Sequence, residues 1–501
     1  MVNKLTLVGL LALVIVTAAD QKQPEIAPIL QHLLDTQSIP KPPQGYVPTE
    51  QRSTAHSFRT RVDHFNPQNR ETFNIGYYSN DEYYQPGGPI FIYVGGNWPV
   101  SNFFIEHGHF HDLAARQHAW LFANEHRYYG QSVPTPNLSV ENLRFLTVEQ
   151  SLVDLAEWIN HLRRNVVRND NARVVLLGTG YAGAIATWAR QRYPHLVDGV
   201  WVSSGQLDAR LNYKEYAVRV GELIRQHGSN ECYGRIWRAF RTAENLIDAG
   251  LSSTVTELFK TCHPLNPESM LDAETLFFNV KEIVQESILY LNANVSTPIF
   301  CEQLNNNTEA TDLQTLAKWI ENKYYYLQCL TFDFNSTVEV LLQLENHYPE
   351  NNIFGLRQRT YQLCTEFGWF RTAYADDQPF GYRVTMYFFQ NICKAVFGEW
   401  LTSEVVADGV HLTNMHFGGK NPRITNALFT SGGQEPARDI MITDYRQQGS
   451  RAIVIPGYMT SSDIGSVTGY DSPELLEAKH QIELYVESWL YESIMPLEQD
   501  V

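Results

Sequence analysis

Residues 173–188, with the sequence RVVLLGTGYAGAIATW, combine features that could position a nucleophile. Four apolar residues predict a buried strand, the small residues after them predict a tight turn, and the spacing that follows predicts a helix. A strand, a G-x-S-x-G turn and a helix together form a nucleophile elbow, which holds a serine above the edge of a sheet. Here the central residue of the turn is Gly180, which has no side chain. The sequence predicts the turn without its nucleophile.

Further elements would position this turn within a sheet. Apolar runs at 90–94, 120–123 and 199–203 predict buried strands. Thr147 and Gln150 match a capping box that opens a helix. Strands that alternate with helices predict a parallel sheet with right-handed crossovers. Residues 54–210 are therefore predicted to form the first part of an α/β domain.

The pattern changes after about residue 206. Residues 211–400 are mainly helical in periodicity, as at 271–291 and 313–329, and contain all six cysteines. Strand patterns then return at 427–429 and 452–455, and an amphipathic helix from 473 to about 494 closes the chain. We predict that a helical insertion, 211–400, separates the first part of the sheet domain from its second part, 401–501.

The amino terminus resembles a secretory signal peptide, assigned to residues 1–19. Lys4 supplies a positive charge, an apolar run follows, and small residues end the segment. Residues 20–53, rich in Pro and Gln, are predicted to form a loose lead-in segment. The even number of cysteines and four Asn-x-Ser/Thr sequons also fit the secretory pathway, with an extracellular or lysosomal destination. The predicted glycosylation sites are Asn137, Asn294, Asn306 and Asn335.

Charge and hydropathy exclude two kinds of partner. The net charge is −17, so nucleic acid is not expected as a ligand. The basic stretch 161–173 is interpreted as a solvated helix end and loop. After removal of the signal peptide no apolar run is long enough to predict a membrane span.

Longer motifs resemble one family, the lysosomal and secreted serine exopeptidases that include prolyl carboxypeptidase, the quiescent-cell proline dipeptidase and the thymus-specific serine protease. The resemblance covers nearly the whole chain after the signal peptide. It implies an α/β-hydrolase sheet domain with an inserted helical cap, and an activity that removes residues next to proline. The motifs are VDHFN at 62–66, GPIFIYVGG at 88–96, EHRYYGQS at 125–132, NLRFLTVEQSLVDLA at 142–156, RQRYPHLVDG at 190–199, CTEFG at 364–368 and ITNALF at 424–429.

The resemblance also assigns the catalytic positions. The family's elbow aligns without gaps on 178–183, which places Gly180 at the nucleophile position. Its acid and histidine motifs fall on Glu435 and Thr460. A serine nucleophile needs a histidine to take its proton and a carboxylate to orient that histidine. Glycine and threonine cannot replace the first two groups, so we expect no conventional peptidase activity.

Other parts of such a site are predicted to persist. The backbone N–H of Tyr181 and the turn that contains Gly96 correspond to the two donors of an oxyanion hole. The dipeptidases of the family carry an acidic residue after this Gly-Gly pair, which captures the amino terminus of a substrate. Here that residue is Asn97, which weakens the expectation of amine capture.

Other side chains could in principle replace the missing nucleophile or base. Thr179, Ser203 and Ser204 supply the nearest hydroxyls in the sequence, and His480 lies on the final predicted helix. Each is better interpreted as a packing or surface residue. The segment 106–112, EHGHFHD, has alternating histidines that can meet a metal, but loop and helix residues are the preferred interpretation. No metal and no cofactor are expected.

Six cysteines allow fifteen pairings. The resemblance favours three of these pairings. The pair that contains Cys364 is the best supported, because Cys364 lies in the CTEFG motif. These pairs are Cys232–Cys301, Cys262–Cys329 and Cys364–Cys393.

Three hypotheses for function remain. The first is a secreted or lysosomal glycoprotein that is a catalytically inactive pseudo-peptidase. Its partners would be peptides with proline near one end or a protein, including a paralogous peptidase or a second copy of the chain. The second is an active serine exopeptidase with a rearranged site, and the third is a structural secreted glycoprotein.

Overall fold

The computed structural model describes residues 52–289, 292–306, 311–346, 355–447 and 449–491. The predicted signal peptide and all but the last two residues of the lead-in segment lie outside this part of the chain. Within it, nine strands form one sheet in the order β1-β2-β4-β3-β5-β6-β9-β11-β10, and β7 pairs with β8. In chain order the strands are β1 (Thr54–Arg61), β2 (Thr72–Asn80), β3 (Ile90–Tyr93), β4 (Trp120–Asn124), β5 (Val174–Thr179), β6 (Gly199–Ser203), β7 (Arg210–Asn212), β8 (Gly368–Phe370), β9 (Ala427–Gly432), β10 (Arg446–Gln447) and β11 (Ser450–Ile455).

The middle of the large sheet is parallel, from β4 through β3, β5, β6 and β9 to β11. All six apolar runs predicted as strands lie in this region. Phe91 and Tyr93 face one hydrophobic layer, whereas Ile90 and Ile92 face the other. Strands that are buried on both faces have continuous apolar sequences, which is why the runs of β3, β4, β5, β6 and β9 were recognisable, whereas β11 is partly exposed.

Helices cover both faces of the sheet. Residues of α2 and α16 pack on the face of Phe91, and residues of α4 and α5 pack on the opposite face. The α-helices are α1 (Phe103–Glu106), α2 (His109–Arg116), α3 (Val140–Leu143), α4 (Val148–His161), α5 (Gly180–Arg192), α6 (Glu215–Leu223), α7 (Asn230–Asp248), α8 (Ser252–Phe259), α9 (Met270–Leu289), α10 (Ala293–Asn305), α11 (Asp312–Lys323), α12 (Phe334–Gln343), α13 (Leu356–Gln362), α14 (Met386–Phe397), α15 (Ser403–Phe417) and α16 (Pro473–Tyr491).

The helices α6 to α15 and the short strands β7 and β8 lie between β6 and β9 in the chain and form the inserted cap. The fold is therefore an α/β-hydrolase sheet domain with a helical cap, as the resemblance implied. The three implied disulfides, Cys232–Cys301, Cys262–Cys329 and Cys364–Cys393, are all present. Among the described helices, none combines the length and the apolar character needed to cross a membrane.

Two local predictions were wrong in part. The helix predicted over 313–329 ends at Lys323. The chain must turn there, because the disulfide of Cys329 and the hydrogen bonds of Leu330 with Lys260 and Cys262 hold the next residues beside α8.

The capping box at the start of α4 is only half formed. The side chain of Thr147 accepts a hydrogen bond from the backbone of Gln150, as predicted. The side chain of Gln150 does not return to Thr147. It accepts from the backbone N–H of His64 and donates to Asp63, at 2.9 and 2.7 Å. The first turn of α4 is therefore hydrogen-bonded to the VDHFN motif rather than to its own N-cap residue.

Candidate functional site

The elbow has the predicted backbone and lacks a side chain at its tip. Thr179 ends β5 and Gly180 begins α5 with a φ of +52°, in the left-handed region that favours glycine. Close packing also shapes the turn, since a Cβ on Gly178 would lie 2.3 Å from the carbonyl oxygen of Ala182. The chain therefore retains the elbow of a hydrolase without the group that the elbow presents.

Tyr181, the next residue, is fixed by two polar side chains. Its hydroxyl lies 3.0 Å from Nε2 of His126 and accepts a hydrogen bond from Gln362, also at 3.0 Å. The Nδ1 atom of His126 lies 2.7 Å from the carbonyl oxygen of Arg127, which can only accept. Nδ1 therefore carries the proton, and Nε2 accepts from Tyr181.

His126 does not act as a base for the elbow. Burial lowers its pKa to about 4, so the imidazole is neutral, and both ring nitrogens are engaged. Its role is to position Tyr181, whose backbone N–H lies in the first turn of α5 and has no acceptor within the helix. The sequence had marked EHRYYG only as a family motif and gave no role to His126.

Other family motifs form a buried cluster of hydrogen bonds around Arg127 and Asp154. Arg127 donates two hydrogen bonds to Asp154, at 2.6 and 2.8 Å, and His64 contacts the same carboxylate at 2.7 Å. Arg127 also donates to the carbonyl oxygens of Val62 and Phe145. These contacts join the VDHFN, EHRYYG and DLA segments into one unit, which gives the three motifs a structural role.

The residue at the acid position, Glu435, is buried after β9. Its Oε1 atom accepts hydrogen bonds from Ser204 at 2.7 Å and from the backbone of Gly432 at 2.6 Å. Burial raises the pKa of Glu435 to about 7, although these donors and the hydroxyl of Thr460 lower it. The carboxyl is thus partly protonated at neutral pH, unlike a carboxylate that orients an imidazolium.

The residue at the base position, Thr460, lies beside Glu435 in the loop after β11. Asp463 anchors this loop by accepting hydrogen bonds from three side chains of β6 and β9. The donors and distances are Ser203 at 2.6 Å, Thr430 at 2.5 Å and Trp201 at 3.1 Å. The two positions that the resemblance assigns to the acid and the base therefore lie side by side, and the residue at the second position has no imidazole.

Of the four side chains that the sequence offered as substitute groups, three are buried in hydrogen bonds and one is exposed. Thr179 is buried, with its hydroxyl 3.3 Å from that of Tyr93. Ser203 donates to Asp463 and Ser204 donates to Glu435. His480 is exposed on α16. None of these four side chains takes the place of the missing nucleophile or base.

The candidate metal segment holds no cluster. His109 and His111 lie in the first turn of α2, where His109 contacts the carbonyl oxygen of Lys479 and His111 contacts Asp112. Across the described ranges, no group of three or more histidine, cysteine or acidic side chains is placed to hold a metal ion.

A cleft of about 150 Å³ opens at the elbow, between the sheet and the cap. Gly180, Tyr181, Asn97 and Trp98 form its floor, and apolar residues of the cap form most of its walls. The indole ring of Trp98 packs against the turn after β3. The contact is close, since a Cβ added to Gly96 would lie 2.6 Å from this ring. The predicted oxyanion turn thus lies under an aromatic side chain that the sequence analysis did not single out.

Comparison with known proteins agrees with the motifs and the fold. The family model described as serine carboxypeptidase S28 matches residues 60–482. The chain belongs to the serine carboxypeptidase S28 family. The match spans Gly180, Glu435 and Thr460, so these three residues lie within the family domain rather than in an appended segment.

Two relatives illustrate the S28 similarity. The thymus-specific serine protease of Mus musculus is 29% identical over 445 residues, which covers 86% of this chain and 86% of the relative. The lysosomal Pro-X carboxypeptidase of Mus musculus is 28% identical over 399 residues, which covers 76% of this chain and 77% of the relative.

Three charged side chains of the S28 cleft were not predicted. Glu282 comes from α9, Arg359 from α13 and Arg371 from the segment just after β8. The one signal in the sequence was the Lys281–Glu282 pair, which follows the apolar run Leu276–Val280 interrupted only by Asn279, and both residues are buried. The positions of the two arginines depend on how the cap folds over the sheet.

Proposed function

We propose that this S28 chain is a non-hydrolytic peptidase homologue that binds peptides in the cleft beside Gly180. The observation that carries the proposal is the arrangement of the triad positions. Gly180 occupies the elbow, and Glu435 and Thr460 lie together at the ends of β9 and β11. The scaffold of a catalytic site is present, and its nucleophile and base are not.

The chemistry explains why hydrolysis is not expected. Removal of any one triad member from a serine protease lowers the rate by several orders of magnitude. Two members are missing here, and a threonine hydroxyl cannot accept a proton near neutral pH. What remains is the backbone N–H of Tyr181 and the binding surface, which favour association without bond cleavage.

The cleft favours a peptide ligand. Ligand sites are concave and largely apolar, with a few polar groups that set orientation, and this cleft has that character. Trp98 lines it and offers an aromatic surface against which a proline ring can pack. The relatives named Pro-X carboxypeptidase support a proline near one end of the ligand.

We also propose that the chain functions in the secretory pathway, in the extracellular space or the lysosome. Three disulfides support an oxidising compartment, and relatives with lysosomal names are consistent with it. Glycosylation at the sequons would follow. Asn294, Asn306 and Asn335 are exposed, whereas Asn137 is half-buried.

Calorimetric titration tests the proposal with the tripeptide Ala-Pro-Phe, followed by mass spectrometry of the same mixture. We expect saturable binding below millimolar concentration and intact peptide after prolonged incubation. Cleavage at a rate above that of buffer would support an exopeptidase with a rearranged site. Absence of binding up to millimolar concentration would favour a purely structural glycoprotein.

A further inference from the structure

The cap carries a groove of its own, with a volume of about 660 Å³, between α10 and α11. None of the residues that line this groove also lines the cleft beside Gly180. Its volume lies within the range of about 300 to 1,000 Å³ that is usual for small-molecule sites. The groove is therefore large enough to hold a ligand and is separate from the elbow.

Trp319 of α11 provides the aromatic surface of this groove. Its indole N–H donates a hydrogen bond to Oε1 of Gln303 at 2.7 Å, and the ring of Phe300 packs edge-on against it, with the ring centroids 4.9 Å apart. The indole is only partly buried. These contacts fix the ring before a ligand arrives, and they leave the amide N–H groups of Gln303 as donors to a ligand.

The cations that line the groove are already paired within the chain. Lys318 lies 2.8 Å from a carboxylate oxygen of Glu321, and Lys323 lies 3.2 Å from one of Glu286. Lys323 also donates a hydrogen bond to the hydroxyl of Ser287 at 2.9 Å. Because each lysine has its own carboxylate, the groove favours a neutral ligand over an anion.

The lining indicates which kind of neutral ligand fits. It joins an aromatic ring and Ile299, which is 52% exposed, to the side-chain amides of Gln303 and Asn322. The C–H faces of a pyranose ring pack on an aromatic surface, and its hydroxyl groups form hydrogen bonds with amides. A saccharide has both kinds of surface, and it therefore matches this groove.

The register of α10 shows from where a saccharide could enter. Ser296, Ile299, Phe300 and Gln303 line the groove, and their spacing of i, i+3, i+4 and i+7 defines one face of the helix. Asn306 follows Gln303 by three residues. It is the C-cap residue, with a helical φ of −75° and ψ of −9°, so it continues this face.

Two predicted glycosylation sites flank α10, and they lie on different sides of it. Asn306 begins the sequon NNT at 306–308 and is exposed, and the three residues from Gln303 advance only about 4.5 Å along the helix. Asn294 lies at the other end of α10, two positions before Ser296, which places it on the opposite side of the helix. A glycan on Asn306 therefore starts beside the groove, whereas one on Asn294 starts away from it.

We propose that the groove between α10 and α11 holds the N-glycan of Asn306, with its first sugar rings over Trp319. The covalent link raises the effective concentration of the glycan at the groove to about the millimolar range, so weak contacts are sufficient. The glycan would cover Ile299 and join the end of α10 to α11. This inference rests on the proposed secretory route, and it gives one predicted sequon a structural role in the cap.

The test uses full-length protein secreted with high-mannose glycans. Endoglycosidase H is added to the native protein, and the rate of glycan release at each sequon is followed by mass spectrometry of the glycopeptides. We expect release at Asn306 to be about tenfold slower than at Asn294, which corresponds to about 1.4 kcal/mol of docking. The difference should vanish when the protein is denatured first.

Variants identify the surface that protects the glycan. Trp319→Leu keeps an apolar side chain but removes the flat ring, and it should bring release at Asn306 close to that at Asn294. Asn306→Gln should increase the binding of an apolar fluorescent dye, because Ile299 and Trp319 become uncovered. Asn294→Gln is the matched control, and it should leave dye binding unchanged.

Each outcome supports or overturns the inference. Equal release at Asn306 and Asn294 from the native protein would overturn it, as would slow release at Asn306 that Trp319→Leu does not change. An unmodified Asn306 in protein that is glycosylated at Asn294 would overturn the inference and leave the secretory route intact. Absence of glycan at every sequon would overturn both. Dimerisation of the glycosylated wild type that Trp319→Leu abolishes would overturn the inference in favour of a second copy of the chain in the groove.

Discussion

The hydroxyl of Ser204 lies 2.7 Å from Oε1 of Glu435 and donates a hydrogen bond to it. The same hydroxyl accepts a hydrogen bond from the backbone N–H of Ser461 at 2.8 Å. Ser204, which follows β6, thus links the segment of the acid position to the loop that carries Thr460. The two segments that the resemblance assigns to the acid and the base are held together by this serine, with no imidazole between them.

A first prediction concerns the backbone of the elbow. Gly180 has a φ of +52°, and a non-glycine residue in that conformation costs about 1 to 3 kcal/mol. Gly180→Ala should lower the free energy of unfolding by that amount in urea denaturation. Gly465→Ala is the matched control, because nothing lies within 4 Å of its added Cβ, and it should be close to neutral. An unchanged stability for Gly180→Ala would show that the turn is not strained.

A second prediction concerns pH. The pKa of Glu435 is raised to about 7, above the value near 4.5 of the unfolded chain. The protonated side chain of Glu435 therefore adds its full contribution to the free energy of unfolding below pH 4.5. This contribution is lost as the pH rises through 7. From pH 6.5 to 8 the free energy of unfolding should fall by about 1 kcal/mol through this group alone.

Denaturation of Glu435→Gln over the same pH range checks this. The variant should show a flatter pH dependence than the wild type, because its amide does not titrate. Glu366 acts in the same direction, since burial raises its pKa to about 8, and Glu366→Gln should also flatten the curve. Buried His109 and His126 act in the opposite direction below pH 6.5, so the comparison is restricted to higher pH. A wild-type curve that rises with pH would contradict the assignment.

A third prediction concerns the cap. The disulfide Cys364–Cys393 closes a loop with a sequence separation of 29 residues, and Cys364 lines the cleft. Replacement of both cysteines by alanine should lower the free energy of unfolding by about 2 to 4 kcal/mol. Peptide affinity should fall with it, because the cap wall is no longer fixed. Unchanged affinity in a destabilised variant would show that the wall is held by packing alone.

A fourth prediction concerns the secretory route. Expression with the native amino terminus in a secretory host should give glycosylated protein, seen as a loss of mass after peptide N-glycosidase treatment. Exposed Asn294 and Asn335 should be the main sites, and half-buried Asn137 should be modified least, since its side chain is hydrogen-bonded to Asn142. Secretion of an unmodified protein would contradict the proposed sites.

The sequence predicted most of the sheet because five of its parallel strands, β3, β4, β5, β6 and β9, are buried on both faces. The elbow segment, the strand at Gly199–Ser203 and the final helix were found from apolar runs and helical spacing alone. The disulfide pairs came from the resemblance, and no local pattern could have selected them among fifteen pairings. Partial failures arose where tertiary contacts compete with local patterns, as for the side chain of Gln150.

The chemistry of the cleft could not be predicted in the same way. Arg359 is far from Gly180 in the sequence, and only the folding of the cap brings it to the elbow. The positioning role of His126 depends on the hydrogen bond of its Nδ1 atom to the neighbouring backbone, which residue types do not reveal. Trp98 was overlooked because it follows the Gly-Gly turn without belonging to a catalytic motif.

Restoration of the triad residues tests whether more than one substitution is needed to recover hydrolysis. Gly180→Ser should remain inactive towards proline-containing peptides, because Thr460 cannot activate the new hydroxyl. Gly180→Ser with Thr460→His should show a trace of hydrolysis, and addition of Glu435→Asp should not reduce it. Full activity in Gly180→Ser alone would show that another base serves the elbow.

The most direct measurement is covalent labelling of the purified wild-type protein with a fluorophosphonate probe, monitored by intact mass. The Gly180→Ser, Thr460→His variant serves as the matched positive control. We predict no labelling of the wild type after prolonged exposure, because Gly180 provides no nucleophile. Stoichiometric labelling of the wild type at a single serine or threonine would contradict the account and establish an active site elsewhere in the cleft.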